Sequence, residues 1–547
     1  MIRVSLPAVQ IIILSALVLA TRCANYQDVF VGGNVYFVDA DCYARMTRVR
    51  MCAAGPGLIL RHHDFENFPQ GTTPHTTAPF DYLILTLALL LKPFTTQPLD
   101  VAGAFVSPLL ALATAWFLWW WSRQMKFRYR WVMLILFAIS PILVHGTALG
   151  RPDHQSLVIL LVAIGICAEW SLQMKAADIP ASTDRITWSI MSAAAWGFAI
   201  WVSAYEPLVL LLLMLGLLLG VEKNAPHSSA ALATARRAGW ILFAAIVAAA
   251  LLIERRVPSF ALLQSSVVFK NWASTVSEMG HISPTDPVWF RWCGYLVLVA
   301  PFLMWKNVRA RKDSAQGLHA LPVYVLLIAT WFLTIWQVRW AYFFVLIFAL
   351  SLPALLTAVK LNTAVWIAFV LSILPHLRDW DEMLWPNDAQ LASHVEKRIE
   401  SVQIRQLALT LPSSELQPFL APWWLSPSIA YWSEQPGVAG SSHESLKGIE
   451  DSARFFLSDD LEQARSILQK DNVAWVFAYD SQRLTQNSAA VLNAAIPPFA
   501  LCRVLDRTPS QAPEFLIFSA QTPVCKLYRL NIQREKQKTF HSQKRIR

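Results

Sequence analysis

The chain has 547 residues, of which 55% are hydrophobic and 15% charged, and its formal net charge is +10. This composition excludes an ordinary soluble globular protein and predicts a polytopic α-helical membrane protein. Much of the positive charge lies in short loops between apolar runs, where Lys and Arg set membrane orientation, so we expect no nucleic-acid partner.

About eleven apolar windows are long enough to form transmembrane helices. The first could be a signal peptide, but only Arg3 precedes it and no clear cleavage site follows, so an uncleaved span is favoured. A run at residues 82–91 is too short to cross and is predicted to lie at the interface. The windows fall at about 5–20, 99–121, 131–148, 156–172, 186–203, 206–221, 238–253, 288–305, 319–336, 340–358 and 362–375.

Three loops rich in Lys and Arg predict the orientation of these spans. They lie at residues 122–130, 223–237 and 306–312. With the N-terminus in the cytoplasm, all three loops are cytoplasmic, as the positive-inside rule requires. The predicted localisation is a multi-pass protein of the cell inner membrane whose C-terminal domain is periplasmic.

The sequence divides into a transmembrane part and a soluble tail. Residues 1–375 are predicted to form the transmembrane domain, with outer loops at 21–98 and 254–287. Residues 376–530 are predicted to form a small α/β domain, because residues 460–468 have helical periodicity and residues 473–478 are typical of a buried strand. The basic stretch 531–547 is predicted to be a disordered tail.

Three polar segments are predicted to lie on the outer face of the membrane. They are Asp39–Arg45, Gly150–Gln155 and Ser274–Glu278. Carboxylates beside a bilayer are costly unless they bind a metal, a proton or a polar substrate. We therefore expect these segments to assemble one site at the membrane surface.

In their order, these segments resemble motifs of the catalytic subunit of oligosaccharyltransferase, a polytopic glycosyltransferase of the GT-C class, and of its divergent bacterial relatives. The resemblance covers about residues 35–445. The matching features are Asp39–Arg45, Pro69–His75, Gly150 with Asp153, Thr275–Glu278, Arg339, and Trp423 with Trp424.

The resemblance implies a GT-C-like fold and transfer of a sugar or oligosaccharide from a polyprenyl (pyro)phosphate donor to a protein or glycan acceptor, in contact with membrane lipids. It implies catalytic roles for Asp39, Asp153 and Glu278, and an acceptor region at Trp423 and Trp424.

A divalent cation could offset the charge of the leaving group, and oxygen ligands favour Mg²⁺ or Mn²⁺. Its predicted ligands are Asp39, Asp153, Asp41 and His154. The donor phosphates are predicted to contact Arg339, Arg45 and His75. For the acidic residues the alternative is a helix cap or a surface ion pair, and for Arg339 it is interfacial snorkelling.

Two departures from the family pattern concern the acceptor and the acidic set. Gln155 stands where the family has an acidic residue, and Leu425 replaces an Asp that reads the acceptor hydroxyl. A glycan polymerase or ligase with a non-peptide acceptor is therefore an alternative. A non-catalytic glycolipid-binding or transport protein is another, although transporters usually place ionisable residues at the midplane of the membrane.

The seven cysteines include two pairs on the predicted outer face. Cys42 with Cys52, and Cys502 with Cys525, could form disulfides if that compartment is oxidising.

Overall fold

The computed structural model describes residues 6–55, 59–74, 78–173, 185–223, 230–255, 266–310 and 321–531. The chain forms two compact units. The first consists of the described parts of 1–35, 76–260 and 278–388, and the second of the described parts of 36–75, 261–277 and 389–547.

The first unit is almost entirely helical, and its largest core consists of buried apolar and aromatic side chains. Its helices are α1 (Leu6–Arg22), α2 (Tyr26–Val29), α4 (Ala78–Leu91), α5 (Pro98–Gln124), α6 (Arg130–Ile139), α7 (Pro141–His145), α8 (Gln155–Leu172), α9 (Arg185–Val202), α10 (Tyr205–Lys223), α11 (Ala230–Glu254), α13 (Val288–Cys293), α14 (Leu296–Ala310), α15 (Leu321–Trp336), α16 (Ala341–Leu355), α17 (Asn362–Ser372) and α18 (Leu374–Leu384). A two-stranded ribbon pairs β1 (Phe30–Val31) with β2 (Asn34–Val35).

The second unit packs helices around a four-stranded sheet of order β3-β4-β6-β5. Its strands are β3 (Phe419–Leu420), β4 (Trp475–Tyr479), β5 (Leu516–Gln521) and β6 (Cys525–Leu530). Strand β3 pairs in parallel with β4, and the other pairings are antiparallel. The helices are α3 (Ala40–Ala54), α12 (Val267–Thr275), α19 (Asp388–Ala408, which begins at the unit boundary), α20 (Ser426–Ser433), α21 (Leu446–Leu457), α22 (Leu461–Lys470), α23 (Ser481–Leu492) and α24 (Leu501–Arg507).

Helices are found in all eleven predicted apolar windows. Among the described residues, four segments are long and apolar enough to cross a membrane by length and composition: Pro98–Gln124, Gln155–Leu172, Leu232–Glu254 and Val338–Ala358. Six shorter apolar helices accompany them.

Three of the predicted windows are broken helices. The window at 362–375 is divided at Ile373, between α17 and α18. The window at 131–148 is interrupted at Ser140, because Pro141 lacks the N–H that would continue the helix. The window at 288–305 is interrupted at Gly294, whose φ is +71°. A side chain there would be strained and would lie 2.4 Å from the backbone oxygen of Ser372, so only glycine fits.

The helix and strand expected in the soluble tail are present. Asp460 accepts hydrogen bonds from the backbone N–H groups of Glu462 and Gln463 and so caps the start of α22. Strand β4 is buried along its whole length, which explains its continuous apolar sequence.

The structure corrects the two suggested disulfides, since none of the seven cysteines, all of which lie in the described residues, is bonded to another. Cys42 and Cys52 both lie on α3, ten residues and therefore about 15 Å apart along the axis. A disulfide needs Cα atoms within about 7 Å, so one straight helix prevents this pairing. Cys502 instead contacts the hydroxyl of Thr485 at 3.2 Å.

Candidate active site

The loop between α7 and α8 carries one of the acidic segments and is fixed by its backbone. Gly150, at φ +73°, donates its N–H to the carbonyl of Ala104 on α5 at 3.0 Å. Leu149 donates its N–H to the carbonyl of Arg22 at the end of α1 at 2.9 Å. The loop is therefore attached to two helices immediately before Arg151.

The Arg22 side chain also contacts this loop. It is fully buried and donates to Thr147 Oγ1 at 3.1 Å and to the carbonyl of Phe137 at 2.8 Å. In a continuous helix that carbonyl would accept from residue 141, which is a proline without an N–H. Arg22 thus satisfies a carbonyl that the helix break leaves without its usual partner.

Arg151 lies at the centre of the site and connects three side chains. Its Nη2 atom is 3.1 Å from Glu278 Oε1 and 3.8 Å from Asp153 Oδ2. Its Nη1 atom is 3.3 Å from His145 Nε2. Only 6% of the Arg151 side chain is exposed, so these ion pairs are shielded from water. The predicted convergence of Asp153 and Glu278 on one site is found, with Arg151 between them.

A second set of contacts holds Glu278, which lies in a short 3₁₀ turn at Ser277–Met279. Tyr342, in the first turn of α16, donates its hydroxyl to Glu278 Oε1 at 3.3 Å. His145 Nδ1 is 2.9 Å from the same hydroxyl, and the two rings are nearly parallel. His154 Nδ1 lies 2.8 Å from Asp153 Oδ1.

Arg339 forms an ion pair with Glu206, at 2.5 Å between Nη2 and Oε1. Glu206 lies in the first turn of α10, and its Oε2 accepts a hydrogen bond from Ser203 at 2.9 Å. Gln155 Nε2 lies 3.5 Å from Glu206 Oε1. The sequence motifs did not identify Glu206, although a carboxylate inside an apolar run is itself a signal of function.

We refer to Arg151, Asp153, Glu206, Glu278 and Arg339 together as the charged cluster. Its three carboxylates differ in how much of each side chain is exposed. The Glu278 side chain is 30% exposed, whereas Asp153 is 15% and Glu206 only 1% exposed. Glu278 is therefore the carboxylate that an incoming molecule can reach most easily. The charged cluster has three carboxylates and two guanidinium groups, so its formal balance is negative.

The remaining predicted site residues that the structure describes belong to the second unit. Asp39 caps α3, its Oδ1 accepting from the N–H of Cys42 at 3.0 Å, and Asp41 Oδ1 accepts from the Ser441 hydroxyl at 2.6 Å. Arg45 is buried on α3. His75 lies outside the described residues.

The predicted acceptor region forms an aromatic group in the second unit. The Trp423 ring lies 5.7 Å from that of Trp424 and 5.8 Å from that of Trp272. Trp423 donates its indole N–H to Asn487 at 2.8 Å. Leu425, which follows them, is 8% exposed and belongs to the apolar core.

Metal binding was predicted for Asp39, Asp41, Asp153 and His154. Within the described ranges, no group of three or more His, Cys, Asp and Glu side chains is arranged to hold a metal ion. Asp153 and His154 are adjacent and contact each other, so they supply two candidate ligands of the first unit.

No family model matches this chain, and no curated protein does. Solved structures do. The archaeal oligosaccharyltransferase AglB from Archaeoglobus fulgidus, in complex with an inhibitory peptide and a dolichol-phosphate, is similar with a TM-score of 0.65 and 14% identity, over 89% of this chain and 70% of that one. The Archaeoglobus fulgidus oligosaccharyltransferase in complex with Zn and sulfate gives 0.63 and 14%, over 95% and 73%.

ArnT from Cupriavidus metallidurans bound to undecaprenyl phosphate is similar with a TM-score of 0.52 and 14% identity, over 95% of this chain and 96% of that one. The chain has the fold of these GT-C glycosyltransferases. The predicted resemblance is thus confirmed for the fold.

Proposed function

We propose that the chain is a membrane glycosyltransferase that moves a sugar or glycan from a polyprenyl (pyro)phosphate donor to an acceptor on the periplasmic face. The observation that carries this proposal is the charged cluster, in which two guanidinium groups and three carboxylates converge from four segments of the first unit. Three of its members, Asp153, Glu278 and Arg339, are residues that the sequence motifs predict for this activity.

The donor (pyro)phosphate is proposed to bind at Arg339 and Arg151. A guanidinium can donate two parallel hydrogen bonds to a phosphate, and partial burial strengthens such a contact. AglB and ArnT have been determined with a dolichol-phosphate and undecaprenyl phosphate, respectively, which supports a phosphorylated isoprenoid as the donor class. Arg45 and His75 remain predicted donor contacts.

Glu278 is proposed to face the acceptor, because it is the most exposed carboxylate of the charged cluster. Its Oε1 is held by Arg151 and by the Tyr342 hydroxyl, which fixes the carboxylate before an acceptor arrives. A carboxylate positioned in this way can accept a proton from, or orient, the attacking group of the acceptor.

A divalent cation, Mg²⁺ or Mn²⁺, is proposed to neutralise the departing phosphate. In the first unit its ligands would come from Asp153 and His154, which contact each other. Asp39 and Asp41, the other predicted ligands, lie in the second unit. The carboxylate excess of the charged cluster fits a bound cation, and the oxygen and imidazole atoms available suit Mn²⁺ as well as Mg²⁺. The structure of the archaeal oligosaccharyltransferase with Zn and sulfate is consistent with a metal in this fold.

We propose the predicted arrangement in the inner membrane, with about eleven spans, a cytoplasmic N-terminus and a periplasmic domain at residues 376–530. The four long apolar helices and six shorter ones support a multi-pass chain. The distribution of Lys and Arg supports the orientation.

The acceptor is proposed to be a glycan or another non-sequon group, as in a glycan polymerase or ligase. The specific observation is Leu425, whose side chain is packed in the apolar core and has no atom that can accept from a hydroxyl. Peptide acceptance is the competing outcome, since the Archaeoglobus fulgidus enzyme has been determined with a tethered acceptor peptide that contains the NVT sequon.

The test is transfer by the purified full-length protein in nanodiscs, supplied with undecaprenyl-pyrophosphate-linked sugars extracted from membranes. Glu278→Gln and Arg339→Gln should each lower transfer and donor hydrolysis by at least about 100-fold, as expected when a positioned catalytic group is lost. Glu382→Gln, which breaks an exposed i,i+4 pair with Arg378, is the matched control and should retain activity. Full activity of both site variants would refute the proposal.

A further inference from the structure

We propose that Glu206 is a positioning residue for Arg339, which it holds away from Asp153 and Glu278. This inference rests on the proposed function, in which Arg339 contacts the donor phosphate. Glu206 does not itself touch the donor in this proposal and acts only through the guanidinium.

The Glu206 carboxylate is buried and held in one orientation, whereas its partner Arg339 is 22% exposed. The Glu206 side chain is 1% exposed, and each of its oxygens is engaged: Oε1 by Arg339 and by Gln155 Nε2, and Oε2 by the Ser203 hydroxyl. A carboxylate held at both oxygens cannot rotate freely, so it fixes the direction of the guanidinium that it pairs with.

Arg339 has competing partners within reach of its charge. Besides Glu206, it is attracted electrostatically by Glu278 and Asp153, and its guanidinium lies 5.7 Å from the centre of the Tyr205 ring. If the charge of Glu206 were lost, the nearest remaining anions would be the two carboxylates that also contact Arg151. Arg339 would then turn toward them and neutralise the carboxylate proposed to face the acceptor.

Gln155 offers a way to test whether the charge itself is what matters. Its amide nitrogen is 3.5 Å from Glu206 Oε1, and it is 2% exposed. A carboxylate introduced at position 155 would therefore lie close to the position of the Glu206 carboxylate in the wild type. The variant Gln155→Glu combined with Glu206→Gln therefore moves one negative charge by a short distance and keeps the total unchanged.

The experiment measures transfer kinetics in nanodiscs for the wild type, Glu206→Gln and the charge-swapped double variant. Glu206→Gln should lower kcat by about 100-fold, because a displaced Arg339 no longer stabilises the charge of the departing phosphate. It should also raise KM for the undecaprenyl-linked donor, because one of the two proposed guanidinium contacts to the donor phosphate is lost. The double variant should recover at least about tenfold of the lost kcat.

The matched control is Glu169→Gln, which breaks another shielded pair, Glu169 with Arg236 at 3.2 Å. Glu169 lies on the same helix as Gln155, about 21 Å further along its axis. This variant should keep the wild-type kcat. Equal losses of kcat and of thermal stability in Glu169→Gln and Glu206→Gln would show a purely structural role and overturn the inference.

A second measurement does not depend on turnover. In a cryo-electron microscopy structure of Glu206→Gln, the Arg339 guanidinium should lie against Asp153 or Glu278, and an unmoved guanidinium would overturn the inference. If the wild type neither binds undecaprenyl phosphate nor transfers sugar, the proposed function fails, whereas a wild-type kcat in Glu206→Gln with an active wild type defeats this inference alone.

Discussion

The pH dependence of local opening at residues 59–74, in the second unit, should depend on one buried carboxyl group, Glu66. Glu66 is 2% exposed and packs under Gly440, where a Cβ atom would lie 2.8 Å from the carboxyl carbon of Glu66. Burial raises its pKa from 4.5 to about 7, and the nearby Glu444 carboxylate acts in the same direction. Arg48 and a backbone hydrogen bond from Ser441 lower the pKa but do not cancel the effect of burial.

The direction of the effect follows from proton binding. The folded state holds the Glu66 proton more tightly than the unfolded chain, so protonation stabilises the fold. That stabilisation is complete below pH 4.5 and is lost as pH rises toward about 7. This pKa difference between the unfolded and folded states corresponds to roughly 3 kcal/mol of stabilisation. Between about 2 and 3 kcal/mol of that free energy should be lost from about pH 5 to about pH 8.

Hydrogen–deuterium exchange of the full-length protein, corrected for the intrinsic pH dependence of exchange, measures the opening free energy of peptides within residues 59–74. We expect that free energy to fall with rising pH in the wild type and to stay nearly constant in Glu66→Gln. The control Glu450→Gln, which removes a partly exposed i,i+4 partner of Arg454, should follow the wild type. Parallel profiles for the wild type and Glu66→Gln would refute the assignment of the pH dependence to this carboxyl group.

Three further predictions concern the proposed function. Asp39→Ala and Asp153→Ala should each abolish transfer with little effect on membrane insertion, because a metal ligand is lost. A divalent-cation chelator should abolish transfer by the wild type, and undiminished activity with chelator would contradict the proposed metal dependence. Reporter fusions after Arg130 should report the cytoplasm and fusions after Glu278 the periplasm, and an external signal at Arg130 would contradict the predicted topology. An Asn-x-Thr peptide should be no better an acceptor than Asn-x-Ala, because the Leu425 side chain cannot accept from the hydroxyl. Efficient and selective glycosylation of Asn-x-Thr would show that another group reads the hydroxyl.

Much of the fold could be predicted because helix length and apolarity are local properties of the sequence. The three helix breaks were not predicted, since a window average does not register a single residue such as Pro141 or Gly294. The breaks at Ser140 and Gly294 have local causes, a missing N–H and a positive φ, each of which belongs to a single residue of the sequence.

The candidate site was predictable only in part. Short motifs predict Asp153, Glu278 and Arg339 as site residues. In the structure Asp153 and Glu278 contact Arg151, and both carboxylates attract Arg339 electrostatically. Tyr342 and His145 were missed because each contributes through a side-chain contact made across helices. Such contacts depend on which helix faces pack together, and spacing along the chain does not determine that.

Glu206 supplies a negative charge close to position 155, where this chain has Gln in place of the acidic residue of the resembled family. Position 155 carries an amide where the resembled family carries an acid, which by itself indicates a weakened acidic set. In the structure that amide nitrogen points to a carboxylate from another helix, and this carboxylate binds Arg339. A partly buried guanidinium is stabilised by a nearby anion, and that anion can come from any neighbouring helix. The charges of a site therefore have to be counted over all side chains that the fold brings near it. Comparing a motif position by position misses charges, such as that of Glu206, that come from other segments of the chain.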